Sequence, residues 1–227
     1  MRRKFAGRVA ALCVAAAMTL SLTACSGGNM YATSEDSMKL SDNDIITLGS
    51  VTTNSGAAAA YGEAEISGFK LAVSEINAAG GIFGKQIKLK SMDDKGDVIE
   101  ASNAFNRLAG EKDVIGILGP TISSTTGAVA PLADQNQVPS IAPAATSESI
   151  ETGGYLFRTC FKDSYQGEIA AKFAAEDLKV KKVAVLYGTG DPYSSGVGKA
   201  FVNAAKKAGL EVVAEENSSS ADDTEYS

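Results

Sequence analysis

The sequence has no histidine and only three cysteines among its 227 residues. Without histidine, the side chain that most often serves as general base near neutral pH is missing. No serine or cysteine is therefore paired with the base that would activate it. No nucleophile elbow occurs, and no Gly-Lys-Ser/Thr follows a glycine run. These absences argue against an α/β hydrolase and a phosphate-loop nucleotide enzyme. Gly188-Thr189-Gly190 follows a strand pattern as a dinucleotide fingerprint would, but the third glycine would fall at Tyr193. Asp93-Asp94 could suggest a metal, yet without further carboxylates the pair reads better as a helix-capping loop. The expectation is a protein that is not an enzyme and holds no metal and no cofactor.

Disulfides are excluded by the same scarcity. Cys13 lies inside an N-terminal leader and Cys25 at its end, which leaves Cys160 alone. One thiol cannot form a framework within one chain. Cys160, at the end of a strand pattern, is expected to be a buried structural cysteine. The leader spans residues 1–24. Arg2, Arg3, Lys4 and Arg8 form a basic start, and residues 9–22 form an apolar run too short to span a bilayer comfortably. Leu22-Thr23-Ala24-Cys25 resembles a bacterial lipobox, in which cleavage precedes the cysteine and lipid is attached to its sulfur. An ordinary secretory signal with an incidental Cys25 is the alternative. Several acyl chains would anchor the protein stably where one would not. Loss of the leader's four positive charges takes the formal net charge from −6 to −10. Such an acidic chain is not expected to bind nucleic acid, where Lys and Arg must neutralise phosphates. Residues 25–44 are polar and read as a flexible tether with a typical span of about 25 Å.

From residue 45 onward, strand and helix patterns alternate. Strands are expected at 45–51, 86–92, 114–118, 140–142, 156–159, 183–187 and 211–214. Helices are expected at 61–79, 97–111, 123–136, 163–179 and 194–208. Ile66, Phe69, Val73 and Ile76 recur at helical spacing, as do Val98, Ala101, Phe105 and Leu108. Ile169, Phe173 and Leu178 are expected to give a later helix its apolar face. Repeated βαβ units with short connections imply an α/β doubly wound fold with parallel sheets and right-handed crossovers. Residues 45–162 read as an N-terminal lobe, and 163–227 as the start of a second lobe. Two βα units bury little apolar surface alone, so the second lobe is expected to be truncated.

The most informative stretch is 114–146. Two successive strands end in loops of hydroxyls and bare backbone, Gly119-Pro120-Thr121-Ile122-Ser123-Ser124 and Ala142-Pro143-Ala144-Ala145-Thr146. In open parallel sheets, ligands bind at the carboxyl ends of strands. A Ser/Thr loop opening a helix offers N–H groups and hydroxyls to an anion.

These loops, with Tyr61-Gly62, Ile76-Asn77-Ala78-Ala79-Gly80-Gly81-Ile82-Phe83-Gly84-Lys85, Asp93-Asp94 and Phe157-Arg158-Thr159, carry a family resemblance. The chain resembles the type I periplasmic binding proteins of the branched-chain amino acid (Leu/Ile/Val) group, the receptors of ABC importers. The resemblance runs from residue 45 to residue 227. It implies two doubly wound lobes, with an amino acid captured by their closure. Partners would be an ABC permease and ATPase, and the membrane through lipid at Cys25. The location would be extracytoplasmic.

Site residues follow from the same resemblance. Ser123, with Ser124 beside it, would hold the ligand carboxylate; plain helix capping asks for the same residue types. Ala144 through its carbonyl and Thr146 through its hydroxyl would meet the ammonium; an ordinary turn is the alternative. Tyr61 would line the cleft and Tyr193 would close over it, unless each simply packs or lies on the surface. Asp163 falls at the lobe junction as hinge, helix cap or ligand contact. Two rivals keep the fold. One takes short amides, urea or aromatic acids; the other is a sensory ligand-binding domain.

Overall fold

The computed structural model describes residues 45–150 and 152–219. The leader, Cys25 and the tether lie outside the described residues. The elements run β1 Ile45–Thr52, α1 Ala59–Ala78, β2 Gln86–Asp93, α2 Val98–Ala109, β3 Val114–Leu118, α3 Ser123–Asn136, β4 Ser140–Ala142 and β5 Leu156–Arg158. They continue with α4 Asp163–Lys172, a π-helical turn Phe173–Asp177, β6 Lys182–Gly188, α5 Pro192–Lys207 and β7 Glu211–Ser218. All strand pairs are parallel and form two sheets, β2-β1-β3-β4-β5 and β6-β7. Parallel neighbours need long crossovers, and the helices supply them. Strand order reverses at β1, whose neighbours are β2 and β3.

Local chemistry explains the elements. Asp97 starts α2 by accepting hydrogen bonds from the amides of Ile99 (2.8 Å) and Glu100 (2.9 Å). Such a cap contributes about 1 kcal/mol. Ala101, Ala104, Phe105 and Leu108 then form one buried stripe. They meet Val51, Ile117, Val129, Ala133 and Leu156 in a single core beneath the first sheet. Val98, expected in that stripe, is exposed.

Two expected faces differ from the structure. On α1, Ile66, Phe69 and Val73 are only half-buried and Ile76 is exposed. The helix instead makes its close approach at Gly62, where a Cβ would overlap the Thr53 carbonyl. On α4 and its π-helical turn, Ile169, Phe173 and Leu178 are all exposed. The buried stripe there is Asp163, Gly167, Ala171 and Ala174, and α4 packs on α5. Small residues let two helix backbones come close, so the contact face is the one with little side chain. β7 extends four residues past the apolar pattern because its backbone stays paired with β6 as far as Gly188↔Ser218.

Among the described residues, no helix is long and apolar enough to cross a membrane. No group of three or more His, Cys, Asp or Glu could hold a metal ion among them.

Candidate functional site

The carboxyl ends of β1, β3 and β4 place hydroxyls, not apolar side chains, in buried positions. Thr52, Thr53, Thr121, Ser123, Thr125, Thr126, Thr146 and Ser147 are all buried. Gly119 makes this possible after β3. Its φ is +109°, and a Cβ there would overlap the Val51 carbonyl oxygen. Only glycine takes that backbone shape readily at such close range.

Ser123 is the first residue of α3, and Ile122 is the cap position, with no side chain capping the helix. The capping alternative for Ser123 therefore does not describe its hydroxyl. Ser123 Oγ instead accepts a hydrogen bond from the Ser147 amide at 3.2 Å, joining the loops after β3 and β4. Ser124 is half-buried beside it. Arg158 organises the second loop by donating to the carbonyls of Ala145 (3.2 Å), Ser147 (2.8 Å) and Ile150 (3.0 Å). Ala144 stands half-buried at the start of that loop.

Thr146 Oγ1 is buried with no hydrogen-bond partner, and so are both carboxylate oxygens of Asp163. The two residues are neighbours, since the Asp163 amide donates to the Thr146 carbonyl at 3.1 Å. Burial pushes the Asp163 carboxyl above its ordinary pKa. The Thr146 hydroxyl lies near enough to oppose that shift, though no hydrogen bond closes between them. Buried polar groups without partners are rare in folded proteins and each needs a reason.

The tyrosines are less tightly bound to this cluster. Tyr61, in the first turn of α1, is 66% exposed. Tyr193, in the first turn of α5, is 41% exposed, and its hydroxyl accepts from Gln166 Nε2 at 3.1 Å. The first four candidates thus share one pair of joined loops, while Tyr61 and Tyr193 come from separate helices. Cys160 is half-buried rather than buried. Its thiol donates to the Ala145 carbonyl at 3.3 Å, and burial first, then the Asp163 and Glu65 charges, push its pKa up against Arg158. A thiol held protonated is a poor nucleophile.

Asp163 was expected at the lobe junction as hinge, helix cap or ligand contact, and its burial without a side-chain partner appears only in three dimensions. Glu65 and Asp94 were not expected in the site, and their oxygens Oε1 and Oδ2 are likewise buried and unpartnered. The sequence offered one signal for Glu65, its position four residues after Tyr61 on the same helix.

An open parallel sheet with hydroxyl loops at its carboxyl edge, next to unmatched polar groups, is the arrangement in which α/β folds place small-molecule sites. The chain belongs to the periplasmic binding protein family, whose sequence profile matches residues 45–227. It is 36% identical over 172 residues to Leu/Ile/Val-binding protein homolog 3 of Brucella melitensis, covering 73% of this chain and 45% of that protein. It is 31% identical over 170 residues to the Leu/Ile/Val-binding protein of Escherichia coli K12, covering 74% and 46% respectively. Among solved structures it is similar to the branched-chain amino acid transporter substrate binding protein LivJ of Streptococcus pneumoniae in complex with isoleucine. That match has a TM-score of 0.73 and 40% identity, covering 80% of this chain and 51% of the other. A solute binding protein of an ABC transporter from Rhodopseudomonas palustris, in complex with 3,4-dihydroxybenzoic acid, matches with a TM-score of 0.70 and 27% identity. It is covered to 47%, and this chain to 77%. The chain spans about half the length of the curated relatives it matches.

Proposed function

We propose that this chain supplies the ligand-docking part of an extracytoplasmic solute-binding protein for branched-chain or related amino acids, working with an ABC importer. One observation carries the reading. The donor-rich start of α3, with no side-chain cap, stands beside the Thr146 hydroxyl and the Asp163 carboxylate, which are buried without a hydrogen-bond partner. An α-amino acid has the complementary pair, a carboxylate and an ammonium. Ser123 and Ser124 would take the carboxylate with charge-assisted hydrogen bonds of about 1.5–3 kcal/mol. Ala144, Thr146 and Asp163 would face the ammonium. Residues 45–162 would act as one lobe and those from 163 onward as part of another. Tyr61 and Tyr193 would approach the ligand as the lobes close. Burying a leucine-sized side chain there adds about 1.5–3 kcal/mol.

The second reading, an aromatic acid, is favoured by the Rhodopseudomonas palustris relative. Such a ligand would satisfy Ser123 but leave Thr146 and Asp163 unmatched, which disfavours it here. Calorimetry against leucine, isoleucine, valine, a short amide, urea and dihydroxybenzoate decides. Heat with the amino acids alone supports the first reading. Heat with dihydroxybenzoate alone reverses the order, and none with any α-amino acid sinks it. We also propose that Cys25 carries lipid that anchors the protein outside the cytoplasm, where a permease reads the liganded form. Mass spectrometry of the N-terminal peptide from membranes would find either diacylglyceryl cysteine or an unmodified thiol.

A further inference from the structure

We infer that Glu65 is a positioning residue for the ligand loop, fixing through Thr121 where Ser123 stands. This rests on the amino-acid-binding reading of that loop. Glu65 lies on α1, and no ligand contact is assigned to it.

The direction of the hydrogen bonds makes the case. The Thr121 hydroxyl is wholly buried and has one proton to give. Its oxygen accepts the Thr53 amide at 3.0 Å, and its proton goes to Glu65 Oε2 at 2.7 Å. Thr53 in turn donates its hydroxyl to Asp94 Oδ1 at 2.6 Å, and the Gly96 amide donates to the same oxygen at 2.9 Å. One chain of hydrogen bonds therefore runs from α1 through the loops after β3, β1 and β2. Glu65 is held at its end because Gly62, less than one turn earlier, sits against the Thr53 carbonyl.

Thr121 stands two residues before Ser123. Thr126 Oγ1 closes the turn from the other side by donating to the Pro120 carbonyl at 3.1 Å. Ser123 then carries the restraint to Ser147. A shift at Thr121 must be shared by both ligand loops, because a packed interior does not deform continuously. Losing the Thr121 hydroxyl would also leave the buried Thr53 amide without its acceptor. Low-dielectric networks of this kind respond as units and not as sums.

The test compares Thr121→Val and Glu65→Leu with the conservative Thr121→Ser and Glu65→Gln, in the full chain. Three readouts are taken: leucine affinity by calorimetry, melting temperature, and the amide resonances of Ser123, Ser124 and Ser147. Thr121→Val and Glu65→Leu should each weaken leucine about tenfold, the worth of one buried hydrogen bond. Their double mutant should be no worse than either alone, and Thr121→Ser and Glu65→Gln should restore both binding and resonances. Lower melting with unchanged affinity and unmoved amides would reduce the chain to structural glue and overturn the inference. If the parent binds no α-amino acid, the functional reading fails separately. The amide resonances still decide the positioning role, since they must move in Thr121→Val and return in Thr121→Ser.

Discussion

The first sheet and the second are assembled from the same βα unit, yet their interiors differ in kind. Beneath the first lie Phe105, Leu108, Ile117, Val129 and Leu156, all essentially inaccessible to solvent. Around the second, the buried apolar residues that cluster are Ala171, Ala174, Ala205 and Leu210. The first region is stabilised by burying large side chains, at about 25 cal/mol for each Å² of apolar surface. The second relies on close approach between α4 and α5, where glycine and alanine leave room for backbone. A repeated topology therefore does not guarantee a repeated source of stability.

The largest expected effect tests the first half of that contrast. Phe105→Ala should cost about 3–5 kcal/mol, as buried aromatic truncations do. Leu210→Ala should cost less, because the cluster around it is small and its neighbours can close the gap. Urea titrations of both variants measure this. Equal losses would show that the second region has a core of the same quality as the first.

The second test reverses the logic by adding atoms. A Cβ at Gly198 would overlap the Tyr187 ring, and one at Gly167 would overlap the Phe201 amide and Ala200. Gly198→Ala and Gly167→Ala should each destabilise by about 1–3 kcal/mol through overpacking. Gly68, on α1, has open space around its position. Gly68→Ala should stabilise by about 0.5–1 kcal/mol through helix propensity alone. If Gly167→Ala behaves like Gly68→Ala in thermal melts, the close approach of α4 and α5 is not what holds the second region; Gly198→Ala reports instead on the packing of α5 against β6.

The same contrast governs what could be read from the sequence. Element bounds were the most legible: β3, α3 and β4 have the expected bounds, and three of the four residues named for α2 are buried, whereas the equally bulky pattern on α1, Ile66, Phe69, Val73 and Ile76, marks no fully buried face. On α4 the apolar pattern selected Ile169, Phe173 and Leu178, while the packed face is made of glycine and alanine. Hydrophobic spacing therefore marked the buried face on α2 but not on α1 or α4, where glycine makes the close approach. The hydroxyl-rich loops after β3 and β4 were legible for another reason. Hydroxyls and glycine at strand ends announce backbone and polar chemistry directly, and the structure brings Ser123, Ser124, Ala144 and Thr146 onto two joined loops. Glu65 was harder because an isolated acid on a helix looks like an ordinary solvated position, and Asp163 was placed at the lobe junction only through the resemblance, with hinge, cap and ligand contact all open. Only burial without partners distinguishes them, and burial is a tertiary property.

Asp163 gives the third test, at the boundary between the two regions. Its pKa is raised, chiefly by burial. Its contribution to stability is therefore fully present below the unfolded carboxylate value of about 3.9 and lost as pH rises through the folded value. Asp163→Asn should melt higher than the parent at neutral pH, by about 1 kcal/mol of stability. That gain should shrink as the pH falls toward the ordinary carboxylate range. The same substitution should weaken leucine binding, because the amide cannot offset an ammonium charge. A stabilised variant with undiminished affinity would remove Asp163 from the proposed site while leaving the stability argument intact.

The smallest expected effect sharpens the comparison most. Leu186 on β6 and Val213 on β7 are 57% and 53% exposed. They lie on the exposed face of the second sheet, because the alternating Val183 and Val212 are the half-buried positions packed against the small core. Parallel sheets usually have both faces covered, and here α5 covers one. Leu186→Thr and Val213→Thr keep a good strand former on the surface, so each should change stability by less than about 0.5 kcal/mol. Threonine in place of a covered apolar residue behaves differently, since it removes buried apolar area and places a hydroxyl there. A loss above about 1 kcal/mol in either variant would therefore mean that something packs on this face in solution. The difference between the two interiors would then be smaller than the described residues make it.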